Sequence, residues 1–254
     1  MNTQSIEAAA DRLWRAAQSG STCVPVRDLI GARDTDAAYA VQDLNVKRWL
    51  GGEERILSGR KIALTSKADR AGMGASEPVH GALFADAERP DGDTIPAGLL
   101  HVPRVEVHVA YVIAAPLTGQ HITMVDLLAS IGYVLPAIAI SDSRYDDPEQ
   151  SLADLIADNA GAGVYVLGQM PKRPGDFDPR MCGMILFCNG EPASYGAGVE
   201  SMGSPLNATL WLARAMARQG RPLGPGDLVH SGALGPAVPA RPGDRFEAHI
   251  AGLG

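Results

Sequence analysis

A chain of 254 residues can bury a core of its own, and its three cysteines, Cys23, Cys182 and Cys188, are odd in number and lack C-x-x-C spacing. Free thiols are therefore expected, not a disulfide scaffold or a zinc knuckle. A hydrophobic fraction of 46%, with no apolar run near the roughly 20 residues that cross a bilayer, excludes a helical membrane protein, and a net charge of −7 with scattered basic residues argues against nucleic acid. The opening residues show no basic segment, apolar segment and small-residue cleavage site in succession, so a cytoplasmic location is expected. An acidic chain can still take an organic acid where a few cations converge.

Helices come first. "SIEAAADRLWRAAQSG" has Ser5 as an N-cap and Gly20 as a stop, and "DTDAAYAVQDLNVKRWLGG" repeats the pattern, ending at Gly51 and Gly52. "GRKIALTSKADRAGMG" reads as a short strand, Lys61 to Thr65, running into a helix capped by Ser66. The Gly/Pro/Asp-rich "DAERPDGDTIPAG" is a loop or boundary. In "PRVEVHVAYVI" Val105, Val107, Val109, Tyr111 and Ile113 share one face of a strand, and Glu106, His108, Ala110 and Val112 the other. Thr123 and Asp126 have capping-box spacing, and the following "YVLPAIAIS" is a strand whose Pro136 marks its start as an edge or bulge. Asn189-Gly190 signals a hairpin; "SPLNATLWLARAMARQG" is a helix capped by Ser204, with Pro205 at its first position and Gly220 at its end. "GDLVHSGALG" and "GDRFEAHIAGLG" close the chain as strands. Strands cluster and do not alternate strictly with helices, so the fold class is α+β, with a helical region over 1–90 and a mixed β domain over 91–254.

Glu106 and His108 are two residues apart, so their side chains leave the same face of the strand and can converge on one ion or one substrate atom. Ala110 and Val112 on that face imply partial burial, where an unpaired carboxylate is costly. Lys61, in "SGRKIALTS", can hold a substrate carboxylate or, once desolvated, act as an acid/base. In "DSRYDDPEQ" Arg144 can pair bidentately with a carboxylate, of the substrate or of the protein. The glycine turns "IADNAGAGVYVLG" and "YGAGVESMGSPLN" lack G-x-G-x-x-G, and His80, His101, His121 and His230 show no ligand spacing and read as surface or core residues.

Taken in order, "GRKIALTSKA", "EPVHGALF", "PRVEVHVAYVI", "LPAIAISDSRY", "LADLIADNAGAGVYVLG", "GSPLNATLWLA", "VHSGALG" and the closing "GLG" resemble, nearly end to end, the 2-keto-4-pentenoate hydratase and 4-oxalocrotonate decarboxylase family of the fumarylacetoacetate hydrolase superfamily. The resemblance implies a helical N-terminal region, a C-terminal mixed β-roll around the active site, and a homo-oligomer or a complex with a related enzyme. It also implies Mg²⁺ or Mn²⁺ held by three carboxylates, two from an E-x-E strand and one from a P-A-L-E strand; such an ion, chelated by 2-oxo and carboxylate oxygens, stabilises a dienolate. Lys61 and Glu106 match that pattern. His108 stands at the second ligand and Ala139, in "PAIAI", at the third; Val79 stands where the family has an acidic residue, and Gly161 where it has a serine.

Replacing a carboxylate by imidazole turns a site from Mg²⁺ toward Mn²⁺, Fe²⁺ or Zn²⁺, and losing the third ligand removes charge. A divalent ion is thus expected to be weakly held or absent, with Glu106 and His108 its remaining ligands and Asp142 or Glu77 candidate replacements. In the other reading, His108 is a general acid/base in a metal-free pocket and Lys61 neutralises the substrate carboxylate. Three functions follow: a hydratase or decarboxylase acting on a small 2-oxo or 2-hydroxy-dienoic acid of aromatic catabolism, an enzyme with other chemistry in the same pocket, or a non-catalytic partner of an active relative. A partner subunit has no use for Lys61, and its retention favours an enzyme.

Overall fold

The computed structural model describes residues 2–52, 55–119 and 121–254. Three helices lead: α1 (Thr3–Ser19), α2 (Arg27–Ile30) and α3 (Thr35–Gly51). The first begins earlier than the sequence suggests, because the Asn2 side chain, not Ser5, accepts the Gln4 N–H; it ends as expected at Gly20, whose φ of 62° suits glycine. Asp34 caps α3 onto the Ala37 N–H. Then come β1 (Leu57–Ala63), α4 (Lys67–Met73), β2 (Val79–Phe84), β3 (Glu88–Arg89), β4 (Arg104–Ile113), α5 (Met124–Ser130), β5 (Ile131–Ser141), α6 (Leu152–Ala157) and β6 (Ala162–Leu167). The chain closes with β7 (Gly183–Cys188), β8 (Glu191–Ala197), α7 (Pro205–Arg218), β9 (Leu228–Ala233), β10 (Val238–Pro239) and β11 (Phe246–Ile250). Ser66, Thr123 and Ser204 cap their helices as their spacing requires, and Asn189 and Gly190 turn between β7 and β8 with φ of 55° and 84°.

The main sheet is eight-stranded in the order β2-β1-β9-β4-β5-β6-β3, with β10 extending the β9 side of β4. It is mixed: β1 runs parallel to β9 and β3 to β6, the other pairs being antiparallel. Thus β1 and β2, which precede residue 90, are hydrogen-bonded into the same sheet as the strands that follow. The sheet curls until its two flanks meet. Tyr165 on β6 reaches Ser58 on β1, with hydroxyls 3.0 Å apart, and the Asn159 side chain pairs with β2 as a strand would, donating to Ala82 O at 2.9 Å and accepting from Ala82 N at 2.7 Å. Asn159, Ala160 and Gly161 hold this bend with successive φ values of 54°, 52° and 65°. A Cβ on Gly81 would lie 2.1 Å from Asn159 O, so only glycine allows the approach.

The outer face carries Val105, Val107, Val109, Tyr111 and Ile113 against Ala208, Leu212 and Met216 of α7 and against Met184, Leu186 and Ile250 of the small β11-β7-β8 sheet, in one buried cluster. A second cluster joins α1, α3 and α6 through Ile6, Leu13, Val41 and Ile156, and a third, with Leu83, Ala110, Leu135, Ala137, Tyr165 and Leu228, fills the inside of the curl. Strand β5 pairs along its length with β4 but with β6 only over 137–141, so its start, up to Pro136 opposite Val109, is an edge on the β6 side, as the proline suggests. The Pro136 carbonyl accepts from Gly168 N at 2.9 Å, so its missing N–H faces the β6 side at the point where β6 ends, and no ladder bond to β4 is lost. The three cysteines are free, Cys182 being the fully buried one. No helix among the described residues is long and apolar enough to cross a membrane.

Candidate active site

Period-two alternation on three adjacent strands builds the site. On β4 the apolar set turns outward to α7, which leaves Glu106 and His108 on the inner face. On β1, Ile62 joins the outer core and Lys61 points inward; in the β1–β9 pairing Lys61 lies directly beside His230. Between β9 and β4 the register slips, with His108 opposite Ala233 but Ala110 opposite His230, so β9 carries one extra residue. Gly232 at φ 94° takes up this bulge, and a Cβ there would meet Thr65 at 2.3 Å.

The result is a compact polar group in an apolar wall. Glu106 Oε2 lies 3.5 Å from Lys61 Nζ and 3.2 Å from His108 Nε2. Lys61 is 3% exposed, His108 and His230 are 0%, and Glu106 is 21%, so the route to solvent passes the carboxylate. The His108 and His230 ring centroids lie 5.5 Å apart, and the Tyr165 ring stands nearly perpendicular to His230, with centroids 5.1 Å apart. Burial alone would push the Glu106 carboxyl up, but Lys61 and the His108 hydrogen bond outweigh it and hold the group down at about 2. Burial keeps His108 below the ordinary imidazole range in spite of Glu106, and keeps His230 well below it. Both rings are therefore neutral at pH 7. Since ionised Glu106 can only accept, the shared proton sits on His108 Nε2, and His108 Nδ1 is left as an acceptor, buried with no partner among the described residues.

The three-carboxylate ion implied by the resemblance does not fit these residues. Ala139 lies directly across from Glu106 in the β4–β5 register, where a third ligand would have to arise. Neither candidate replacement joins the group: Asp142 Oδ1 accepts from the His101 and Val102 backbone N–H groups, and Glu77 Oε2 faces Trp211 Nε1 at 3.5 Å. Among the described residues no three His, Cys, Asp or Glu side chains are placed to hold one ion. One carboxylate, already engaged by an ammonium, and one imidazole do not satisfy a hard octahedral cation.

Arg144 is not brought to this group. Its guanidinium donates to Asp158 Oδ1 at 2.6 Å and to Ala162 O at 3.0 Å. It lines a cleft of about 260 Å³ between α1, α3 and β2, beside Trp14, Trp49 and Asp142, whereas Lys61, Glu106 and His108 lie outside that cleft. His230, read from the sequence as an ordinary core or surface histidine, is the residue the sequence reading missed. The strand alternation in "LVHSG" places it inside only once the bulge at Gly232 and the neighbouring strands are known.

With this geometry in view, the relatives are informative. A family model described as fumarylacetoacetate hydrolase C-terminal matches residues 68–254. The "TodF product hydratase" of Pseudomonas putida is 48% identical over 99% of this chain and 94% of its own length, and a 2-keto-4-pentenoate hydratase of Paraburkholderia xenovorans is 44% identical over 100% and 94%. Among solved structures, 4-oxalocrotonate decarboxylase from Pseudomonas putida G7, complexed with magnesium and adipate, superposes with a TM-score of 0.92 at 29% identity, covering 100% of this chain and 96% of that one. A curled mixed sheet with helices ahead of it, matched along nearly its whole length at these identities, places the chain in the fumarylacetoacetate hydrolase C-terminal family, among the 2-keto-4-pentenoate hydratases.

Proposed function

We propose that the protein is a lyase-type enzyme that hydrates a small 2-hydroxy-dienoic acid, the enol form of a 2-oxo-enoic acid, and that it does so without a tightly held Mg²⁺. The observation that carries this reading is the convergence on one inner wall of a buried ammonium and an imidazole N–H, Lys61 Nζ at 3.5 Å and His108 Nε2 at 3.2 Å, on one oxygen of the Glu106 carboxylate. Higher identity to hydratases than to the decarboxylase favours hydration over loss of CO₂.

Each group then has a task. Lys61 has three N–H donors, of which Glu106 takes one, so the others bind the substrate carboxylate. Glu106, the member of the group that reaches solvent at 21% exposure, takes the proton of the 2-hydroxyl and returns it at C5, which converts the dienol to a 2-oxo-3-enoate with no net proton change. Water then adds across C3–C4, its oxygen at C4 and its hydrogen at C3. Glu106 fixes the His108 tautomer and balances the Lys61 charge. A non-catalytic partner subunit would gain nothing from a lysine only 3% exposed, whose burial costs stability.

The test is direct. Purified protein given 2-hydroxypenta-2,4-dienoate should consume its dienol absorbance, with chelator present and with elemental analysis showing sub-stoichiometric metal. The Lys61→Ala variant should be slower by about 100-fold or more. Absence of turnover, with or without added Mg²⁺ or Mn²⁺, would remove the hydratase reading.

A further inference from the structure

Between Lys61 on β1 and Tyr165 on β6 lie β9, β4 and β5, so the two residues are four strand steps apart along the sheet. Laid flat, that is about 19 Å at a strand spacing of about 4.8 Å. The curl shortens it to a chord that two side chains span, with the hydroxyls of Tyr165 and Ser58 3.0 Å apart. An irregularity in β1 builds its end of this contact. Alternation from Lys61 would turn Ser58 to the outer face, but the β1–β2 register slips between Leu57 and Gly59 and leaves Ser58 as the extra residue. A bulge of this sort re-aims a side chain, and here it brings the Ser58 hydroxyl to the inside of the curl.

Tyr165 is 1% exposed, and burial holds its hydroxyl up at about 12, so the phenol stays neutral. Its ring packs against His230, which lies directly beside Lys61 in the β1–β9 pairing. In the register Tyr165 pairs with Ala139, and Ala139 with Glu106. One side chain therefore ties the strand of Lys61 and the strand next to it to the cross-strand row of Glu106.

We infer that Tyr165 is a positioning residue: with Ser58 it forms a strut that sets the curvature at which Lys61 Nζ meets the Glu106 carboxylate. The inference rests on the hydratase reading for the task of Lys61. Lys61 and Glu106 stand on strands two spacings apart, and their contact, at 3.5 Å, is long. A small widening of the curl is enough to break it. The ammonium then loses its countercharge, and the substrate carboxylate it binds moves away from the Glu106 oxygen that must reach both the 2-hydroxyl and C5. Misplacement of about 1 Å costs up to about 100-fold in rate, so loss of one hydrogen bond in the strut should cost about tenfold.

The experiment uses the intact protein as wild type, Tyr165→Phe, Ser58→Ala, the double variant and Ser58→Thr, which keeps a hydroxyl. With 2-hydroxypenta-2,4-dienoate, each of the first two variants should lose about tenfold in kcat with KM changed less than about threefold. The double variant should be no slower than the slower single one, because both remove the same bond, and Ser58→Thr should recover most of the rate. A readout independent of turnover is the rate at which acetic anhydride acetylates Lys61, followed by mass spectrometry against exposed Lys47. Loosening the strut should raise the Lys61 rate about tenfold relative to Lys47. Both single variants within threefold of the wild-type kcat overturn the inference, as do losses that multiply in the double variant, or Ser58→Thr as slow as Ser58→Ala. Unchanged Lys61 acetylation in the slowed variants also overturns it, since Tyr165 would then act by another route. If wild type itself fails to turn over the dienol, the hydratase reading falls, and acetylation alone decides the strut: a faster Lys61 supports it and an unchanged Lys61 overturns it.

Discussion

Replacing Glu106 by glutamine removes the one anion in the site and leaves Lys61, 3% exposed, without a countercharge. Two independent routes give the cost. Breaking a buried pair by deleting one partner costs about 3–5 kcal/mol, and the 21% exposure of Glu106 places this case at the lower end. From linkage, a carboxyl held at about 2 in the folded protein against 4.5 when free contributes about 3 kcal/mol at neutral pH. Because the folded value is depressed, that contribution is present above pH 4.5 and is lost as the pH falls toward 2. The difference in unfolding free energy between wild type and Glu106→Gln, from urea titrations, should therefore be about 3 kcal/mol at pH 7 and less than about half of that at pH 3. In the double variant Glu106→Gln, Lys61→Met most of the loss should be recovered, since both charges are gone. A difference that stays constant from pH 7 to pH 3, or single losses that simply add, would refute the claim that the site is held by this pair.

Asn159 should prove structural: Asn159→Ala leaves Ala82 N and O without partners and puts alanine at a φ of 54°, costing about 2–3 kcal/mol in urea unfolding, with Asn159→Gly about 1 kcal/mol milder. Equal stability of all three forms would mean that the amide does not close the curl. His80, buried against Tyr39 and near Gln219, is held down at about 4 by burial, so it stabilises the fold fully above pH 6.5 and that share, about 3 kcal/mol, is lost as the pH falls through 4; His80→Gln should flatten this part of the pH profile. Finally, His108→Glu with Ala139→Glu should create stoichiometric Mg²⁺ or Mn²⁺ binding by calorimetry, which neither single substitution achieves, because position 139 faces Glu106 across β4 and β5.

The sequence by itself determined what depends on a few neighbouring residues. Alternation in "PRVEVHVAYVI" placed Glu106 and His108 on one face, because side chains on a strand repeat every two residues whatever the strand's partners. Ser66, Thr123, Ser204 and Asn189-Gly190 marked helix starts and a hairpin, since capping and turn geometry are closed within one turn of chain. Ordered motifs along the chain carried the family. Only the tertiary structure decided how those local pieces meet. Whether Pro136 lies on an edge or inside the sheet depended on where β6 stops, and whether Arg144 was free for substrate depended on Asp158, which takes it. His230 entered the site because parallel pairing set β9 beside β1, and a bulge at Gly232 re-phased it against β4. Strand order and register are properties of contacts between distant segments, and no window along the sequence contains both partners.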